Sequence, residues 1–197
     1  MKLLLLVVLV WTASDEASAG SPQSLGEYVE YTLLLPDISD NNLALEGRAT
    51  MSSIWMDPDN HQSFLGMAMN GIDGNTDSVY FHGSCFHTGL DSPAWYRVDL
   101  LRTSRIVSIS ITNRGDYGNR TNGAEIRIGD SLANNGNNNP RCAVVTSIAD
   151  GETRTCQCNN MVGRYVNIVL TGKTEYLHLC EVQIFGENLT QDIPCAE

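Results

Sequence analysis

From residue 42 onward, short apolar and β-branched runs alternate with clusters of Asn, Gly and Asp. The runs fall at 95–101, 105–113, 124–129, 142–148, 153–158, 165–170 and 176–185. Several keep an apolar–polar period of two, as in Ile109-Ser110-Ile111 and Glu125-Ile126-Arg127-Ile128. That period puts alternate side chains on opposite faces of a strand. No amphipathic helix of about 10–15 residues separates the runs. The pattern therefore predicts an all-β sandwich or barrel rather than a parallel α/β sheet. The stretch 134–140, Asn-Asn-Gly-Asn-Asn-Asn-Pro, reads as a solvated connection.

The N-terminus has a different pattern. Lys2 precedes an unbroken apolar run at 3–11, and Ala17-Ser18-Ala19 forms a small-x-small cleavage sequence. This is a secretory signal, and its apolar run is about half the roughly 20 residues a spanning helix needs. The expected organisation is a signal peptide at 1–19, a lead of no assigned role at 20–41, one domain at 42–188 and a tail at 189–197. The mature protein is expected to be exported and not inserted in a membrane.

Charge and composition narrow the function. Lys plus Arg number 12 and Asp plus Glu 23, a formal charge of −11, which excludes nucleic-acid binding through a general basic field. Seventeen Asn and 17 Gly residues argue against a helical bundle. Export makes Cys85, Cys142, Cys156, Cys158, Cys180 and Cys195 disulfide candidates. Their spacing does not choose a pairing, and Cys156-Gln157-Cys158 lacks zinc-ligand spacing. Asn119-Arg-Thr121 and Asn188-Leu-Thr190 are N-glycosylation sequons. No Gly-rich phosphate loop, HExxH or GxSxG elbow is present, so nothing argues for an enzyme.

Two polar segments remain. In Asn70-Gly-Ile-Asp-Gly-Asn75, oxygen-bearing side chains recur in a Gly-containing loop, which suits either a plain series of Asx turns or a hard cation. Asn113-Arg-Gly-Asp-Tyr-Gly-Asn-Arg120 follows a predicted strand and carries two Arg six residues apart. Guanidinium groups offer forked donors that match vicinal hydroxyls or carboxylates. The segment also spells Arg-Gly-Asp at 114–116.

Eight strings, in order, resemble the F-type lectins, the fucolectins. They are Asn42-Leu-Ala-Leu-Glu-Gly-Arg-Ala-Thr50, Ile72-Asp-Gly-Asn75, Gly83-Ser-Cys-Phe-His-Thr88, Trp95-Tyr-Arg-Val-Asp-Leu100, Ile111-Thr-Asn-Arg-Gly-Asp116, Gly123-Ala-Glu-Ile-Arg-Ile-Gly129, Gly163-Arg-Tyr-Val-Asn167 and Leu179-Cys-Glu-Val182. The resemblance implies an antiparallel β-sandwich jelly roll of the discoidin, galactose-binding-like kind. It implies a lectin without catalysis that binds terminal L-fucose on cell-surface or microbial glycans in innate recognition, and that gains avidity as a homo-oligomer. His87, Arg114 and Arg120 map onto the family's sugar motif, with Asp116 completing its Arg-x-Asp. Tyr80 and Phe81 fall where the family walls the fucose methyl.

The family usually carries two adjacent, mutually bonded cysteines after Arg-x-Asp. Here Tyr117-Gly118 stand there, and the loop to Arg120 is one residue shorter. Tyr117 is expected to replace the disulfide as an apolar platform; a glycan on Asn119 would crowd the pocket, so Asn119 is expected to be unmodified or fucose binding to be impaired. The resemblance also implies a structural Ca²⁺ held by Asn70, Asp73, Asn75, Ser84, Cys180 and Glu181, several through main-chain oxygens. It implies the disulfides Cys85–Cys180 and Cys142–Cys158. Cys156 and Cys195 are then left to pair with each other, or between chains. A discoidin-like adhesion module for protein or lipid is the alternative function, as is a lectin of altered sugar specificity.

Overall fold

The structure, a computed structural model, describes residues 41–56 and 64–189. The expected signal peptide, all but the last residue of the lead, Thr190 of the second sequon and Cys195 lie outside these residues. The strands are β1 Arg48–Met51, β2 Phe86–His87, β3 Ala94–Thr112, β4 Glu125–Gly129, β5 Arg141–Val144, β6 Thr153–Leu170, β7 His178–Leu179 and β8 Glu181–Asn188. Every strand pair is antiparallel. Short 3-10 turns are the only helical elements among the described residues, and no helix there is long and apolar enough to cross a membrane.

Two strands run through positions that the pattern reads as breaks. β3 joins the runs at 95–101 and 105–113, and β6 joins those at 153–158 and 165–170. The chain bends at these points instead of reversing. The β3–β6 register slips between Asp99 and Ser104 and again between Ile106 and Ser108. Leu101 sits at φ 66°, its N–H donating to Asp99 Oδ1 at 2.8 Å. On β6, Asn159 and Asn160 take φ 52° and 61°, a conformation that Asn tolerates better than most residues.

The bends build the sandwich. The first half of β3 lies between β1 and the second half of β6, and β4 and β5 extend that layer. The second half of β3 lies between β8 and the first half of β6. Tyr96, Ile126 and Ile168 from one layer and Ile109, Val182 and Ile184 from the other share one buried cluster. Burying each such side chain contributes about 1.5–3 kcal/mol. The architecture is the all-β, antiparallel one that the alternation and the resemblance imply.

The 134–140 stretch differs from its expected character. Asn137 and Asn139 are buried, and Asn167 on β6 donates to the Asn135 carbonyl and to Asn137 Oδ1 at 2.8 and 3.0 Å. Asn139 exchanges hydrogen bonds with Ser131, and its carbonyl accepts from Arg127. The loop is a polar cap folded onto the sheet. Its Asn content supplies hydrogen bonds and left-handed backbone at Asn134 and Asn135, where the expectation was solvation alone.

Candidate functional site

One wall of the site begins with two short strands. In β2, adjacent side chains must point to opposite faces. Phe86 turns into the core and stacks on Tyr96 at 3.9 Å, while His87 faces the other way. β7 repeats the arrangement: Leu179 lies opposite Phe86, and His178 opposite His87. Cys85 precedes β2 and Cys180 follows β7, and the two are disulfide-bonded. Trp55, Tyr80 and Tyr176 surround the His87 ring at centroid distances of 5.3, 5.5 and 5.4 Å.

The opposite wall is the loop that leaves β3. Asn113, fully buried, donates from Nδ2 to the carbonyls of Gly118 and Ile148 and accepts at Oδ1 from the Arg114 N–H. Asp150 Oδ1 accepts from the Gly118 N–H at 2.8 Å. Gly118 is required here because a Cβ would run into Asn113 and Asp150. Tyr117 turns the loop at φ 57° and exposes its ring. Arg114 is nearly buried over the Tyr80 ring, 4.5 Å from its centroid, and forks onto Asp116 through Nε–Oδ1 and Nη2–Oδ2. The Arg-Gly-Asp tripeptide is therefore closed on itself, with its Arg sunk in the wall.

The two walls enclose a pocket of about 220 Å³ lined by Trp55, Tyr80, Phe81, His87, Arg114, Tyr117, Arg120 and Tyr176. Six of the residues named from sequence meet here: His87, Arg114, Arg120, Tyr117, Tyr80 and Phe81. Despite the shortened loop, Arg120 reaches the pocket. Asp116 does not line it. It holds Arg114 and lines a neighbouring pocket of about 140 Å³ with Ser78, Val79 and Gly115. Asn119 is exposed and outside the lining, one residue from Arg120. Trp55 and Tyr176 escape the sequence reading. Trp55 lies just beyond β1, Tyr176 stands at the edge of a predicted strand, and only the topology brings them together.

The pocket's electrostatics follow from burial. His87 Nδ1 lies 2.7 Å from the Thr88 carbonyl, so Nδ1 carries the proton and Nε2 keeps a lone pair. Burial is the main cause that pulls the His87 pKa down to about 4. The Thr88 bond opposes it, and the charges of Arg114 and Arg120 add to it more than Asp116 offsets. His178, fully buried behind it, is pulled down to about 2, again by burial first. Both imidazoles are neutral at physiological pH. The two guanidinium groups are matched by Asp116 and by Glu175, whose Oε1 lies 3.7 Å from Arg120 Nε. A charge-balanced pocket with acceptor, donors and aromatic walls suits a neutral polyhydroxyl ligand.

Beside this wall lies the 70–79 loop. It is a chain of Asx turns: Asp73 accepts from the Asn75 N–H, Asn75 from the Asp77 N–H, and Asp77 from the Val79 N–H. Asn70 Nδ2 donates to the Leu65 and Cys85 carbonyls, and Ser84 Oγ to the Val79 carbonyl. Glu181 is fully buried. Its Oε2 accepts from the Gly74 N–H, and its Oε1 has no hydrogen-bond partner. Burial, with the charge of Asp73, raises its pKa to about 7 against the opposing Gly74 bond. A buried, half-satisfied carboxylate facing a second acidic group fits a cation. Among the described residues no three His, Cys, Asp or Glu side chains are grouped so as to hold a metal ion, so a cation here would need amide and carbonyl oxygens for most of its shell, a donor set that suits Ca²⁺ rather than zinc.

Cys142–Cys158 is the second disulfide. Cys156 has no sulfur partner among the described residues.

Comparison with known proteins bears on the whole arrangement. Residues 70–168 match the family model described as NedA-like, galactose-binding domain. Fucolectin-4 of Anguilla japonica is 47% identical over 184 residues, covering 92% of this chain and 93% of the relative. The crystal structure of an F-lectin (fucolectin) from striped bass (Morone saxatilis) serum is 51% identical with a TM-score of 0.72, over 77% of this chain and 49% of that one. A Streptococcus pneumoniae fucose binding module, SpX-3, is 26% identical with a TM-score of 0.60, over 75% of this chain and 99% of the module. The 47% identity to Fucolectin-4, across more than nine-tenths of both chains, assigns the protein: it belongs to the fucolectin family, the F-type lectins.

Proposed function

We propose that this protein is a secreted, calcium-containing lectin that binds terminal L-fucose on glycans. The observation that carries the reading is the pocket itself: His87, Arg114 and Arg120 converge on one small, charge-balanced space walled by aromatic rings. The His87 Nε2 lone pair accepts a sugar O–H. The Arg114 Nη1 donors, which Asp116 does not use, and the forked donors of Arg120 meet vicinal hydroxyl oxygens. The wall of Trp55, Tyr80 and Phe81 suits the C6 methyl. The similarity to fucolectins and to the Streptococcus pneumoniae fucose binding module supports this ligand class.

Ca²⁺ would be held by Asn70, Asp73, Asn75, Ser84, Cys180 and Glu181. It would supply charge to satisfy Glu181 and would brace the loop beside the Cys85–Cys180 wall, without touching the sugar. No bond in the sugar is broken, since every group in the pocket binds and none is set to attack. A monosaccharide site makes few contacts, so oligomers engaging clustered glycans would raise avidity by on the order of 10² to 10⁴, which fits recognition of microbial surfaces. The six-cysteine chain and the predicted signal support export.

A glycan array of matched structures with and without terminal fucose tests the reading, run with calcium and with excess EDTA. Binding should be confined to the fucosylated members and should weaken on chelation. Binding that ignores fucosylation would overturn it.

A further inference from the structure

The loop that carries Arg120 has no covalent brace, yet Arg120 is contacted from several sides. Its guanidinium carbon lies 4.5 Å from the Tyr117 ring centroid and 4.9 Å from that of Tyr176. Its Nε faces Glu175 Oε1 at 3.7 Å. Lys173 Nζ donates to the Arg120 carbonyl at 2.9 Å and to the Asn122 carbonyl at 2.8 Å. Three of these four partners, Lys173, Glu175 and Tyr176, come from the short connection between β6 and β7. The Tyr176 ring also meets the His87 ring edge-on at 5.4 Å.

We propose that Lys173 and Tyr176 are positioning residues that lock Arg120 in its sugar-binding pose before the ligand arrives, taking the place of a covalent brace in the loop. The inference rests on the reading of this pocket as the L-fucose site. A long guanidinium side chain on an exposed loop would otherwise have to be ordered at the moment of binding, which subtracts from affinity. Contact with a ring face restrains the guanidinium without consuming an N–H donor, so its donors stay available for hydroxyls. Lys173 fixes the main chain at the same residue, so the backbone and the head group of Arg120 are held by one segment. Tyr176 reaches both Arg120 and His87 and so sets their spacing, which decides which pair of hydroxyls the two can span.

The test is calorimetric titration of L-fucose into the wild type, Tyr176→Leu, Tyr176→Phe, Lys173→Met, Arg120→Gln and the double variant Tyr176→Leu/Arg120→Gln, with thermal melts of each. Tyr176→Leu and Lys173→Met should each bind about tenfold more weakly. Tyr176→Phe, which keeps the ring, should recover most of the affinity that Tyr176→Leu loses. Because Tyr176 acts chiefly through Arg120, the double variant should lose less than the sum of the two single losses. Additive losses, or an unchanged affinity in Tyr176→Leu, would overturn the inference. ¹⁵N relaxation of the Arg120 Nε–H group in sugar-free protein decides it separately from the functional reading. Order in the wild type that is lost in Tyr176→Leu supports the lock, and equal order in both overturns it. If the wild type gives no heat with L-fucose, the functional reading falls while the relaxation result still stands.

Discussion

On one side of the pocket, His87 sits on a strand pair flanked by the Cys85–Cys180 disulfide. On the other, Arg114, Tyr117 and Arg120 hang on a loop held by polar contacts, among them those of Asn113, Asp150 and Lys173, with no disulfide in it. The first wall is built into the fold. Its disulfide links residues 95 apart, so it constrains the unfolded chain as much as the folded one. The second wall is a local polar network whose loss leaves the sandwich core untouched. The contrast predicts that damage to the His87 wall is read first in stability, and damage to the arginine wall first in affinity.

The largest effect should come from replacing Cys85 and Cys180 together with Ala. Losing a native disulfide typically removes about 2–5 kcal/mol, which in a domain of this size lowers the melting temperature by roughly 10 °C. A melt within a degree or two of the wild type would break the comparison at its strongest point.

Acid comes next. The folded-state pKa values of His87 and His178 are depressed to about 4 and about 2, below the ordinary value of 6.5. The unfolded chain therefore takes up protons at pH values where the folded chain does not. Stability from these rings is fully present above pH 6.5 and declines as the pH falls towards 4, by up to about 1.4 kcal/mol per pH unit for each ring. The groups facing them, Arg114 and Arg120, oppose protonation, and Asp116 favours it only weakly. Sugar affinity should hold level from pH 8 to about 5.5 and fall as His87 protonates near 4. Melts and titrations across that range check both limbs.

Chelation should follow. An ion saturating its site about 100-fold stabilises by roughly 2.7 kcal/mol, so excess EDTA should lower the melting temperature by about 5–10 °C and weaken sugar binding indirectly. An unchanged melt contradicts a bound cation.

Asp150→Ala should have the smallest effect on stability. It removes the bond to the Gly118 N–H, worth about 1 kcal/mol. Binding should nonetheless fall several-fold, since the loop loses its pin while the core stays intact. Equal proportional losses in the two readouts would erase the distinction between the walls.

Sequence alone reveals much of this molecule, though unevenly. Ile126 and Ile128, alternating with charged neighbours, announce a half-buried strand because burial on one face imposes a period of two. His87, Arg114 and Arg120 stand out because they lie in short contiguous strings that resemble the family's sugar motif. The continuity of β3 and β6 does not, because Asn159-Asn160 makes a bend in strand β6 with the residues that elsewhere make a turn. Nor do Trp55 and Tyr176, whose contact with His87 depends on β1, β2 and β7 converging and has no local signature. The cap at 134–140 is hidden for a related reason: its Asn side chains look solvated until the sheet below supplies their partners.

The most direct measurement compares L-fucose with L-galactose, which differs only by a hydroxyl on C6, in calorimetric titration against the calcium-loaded protein. The wall of Trp55, Tyr80 and Phe81 predicts saturable L-fucose binding at one site per chain, with L-galactose about tenfold weaker. No saturable binding of L-fucose, or equal affinity for the two sugars, would contradict the account.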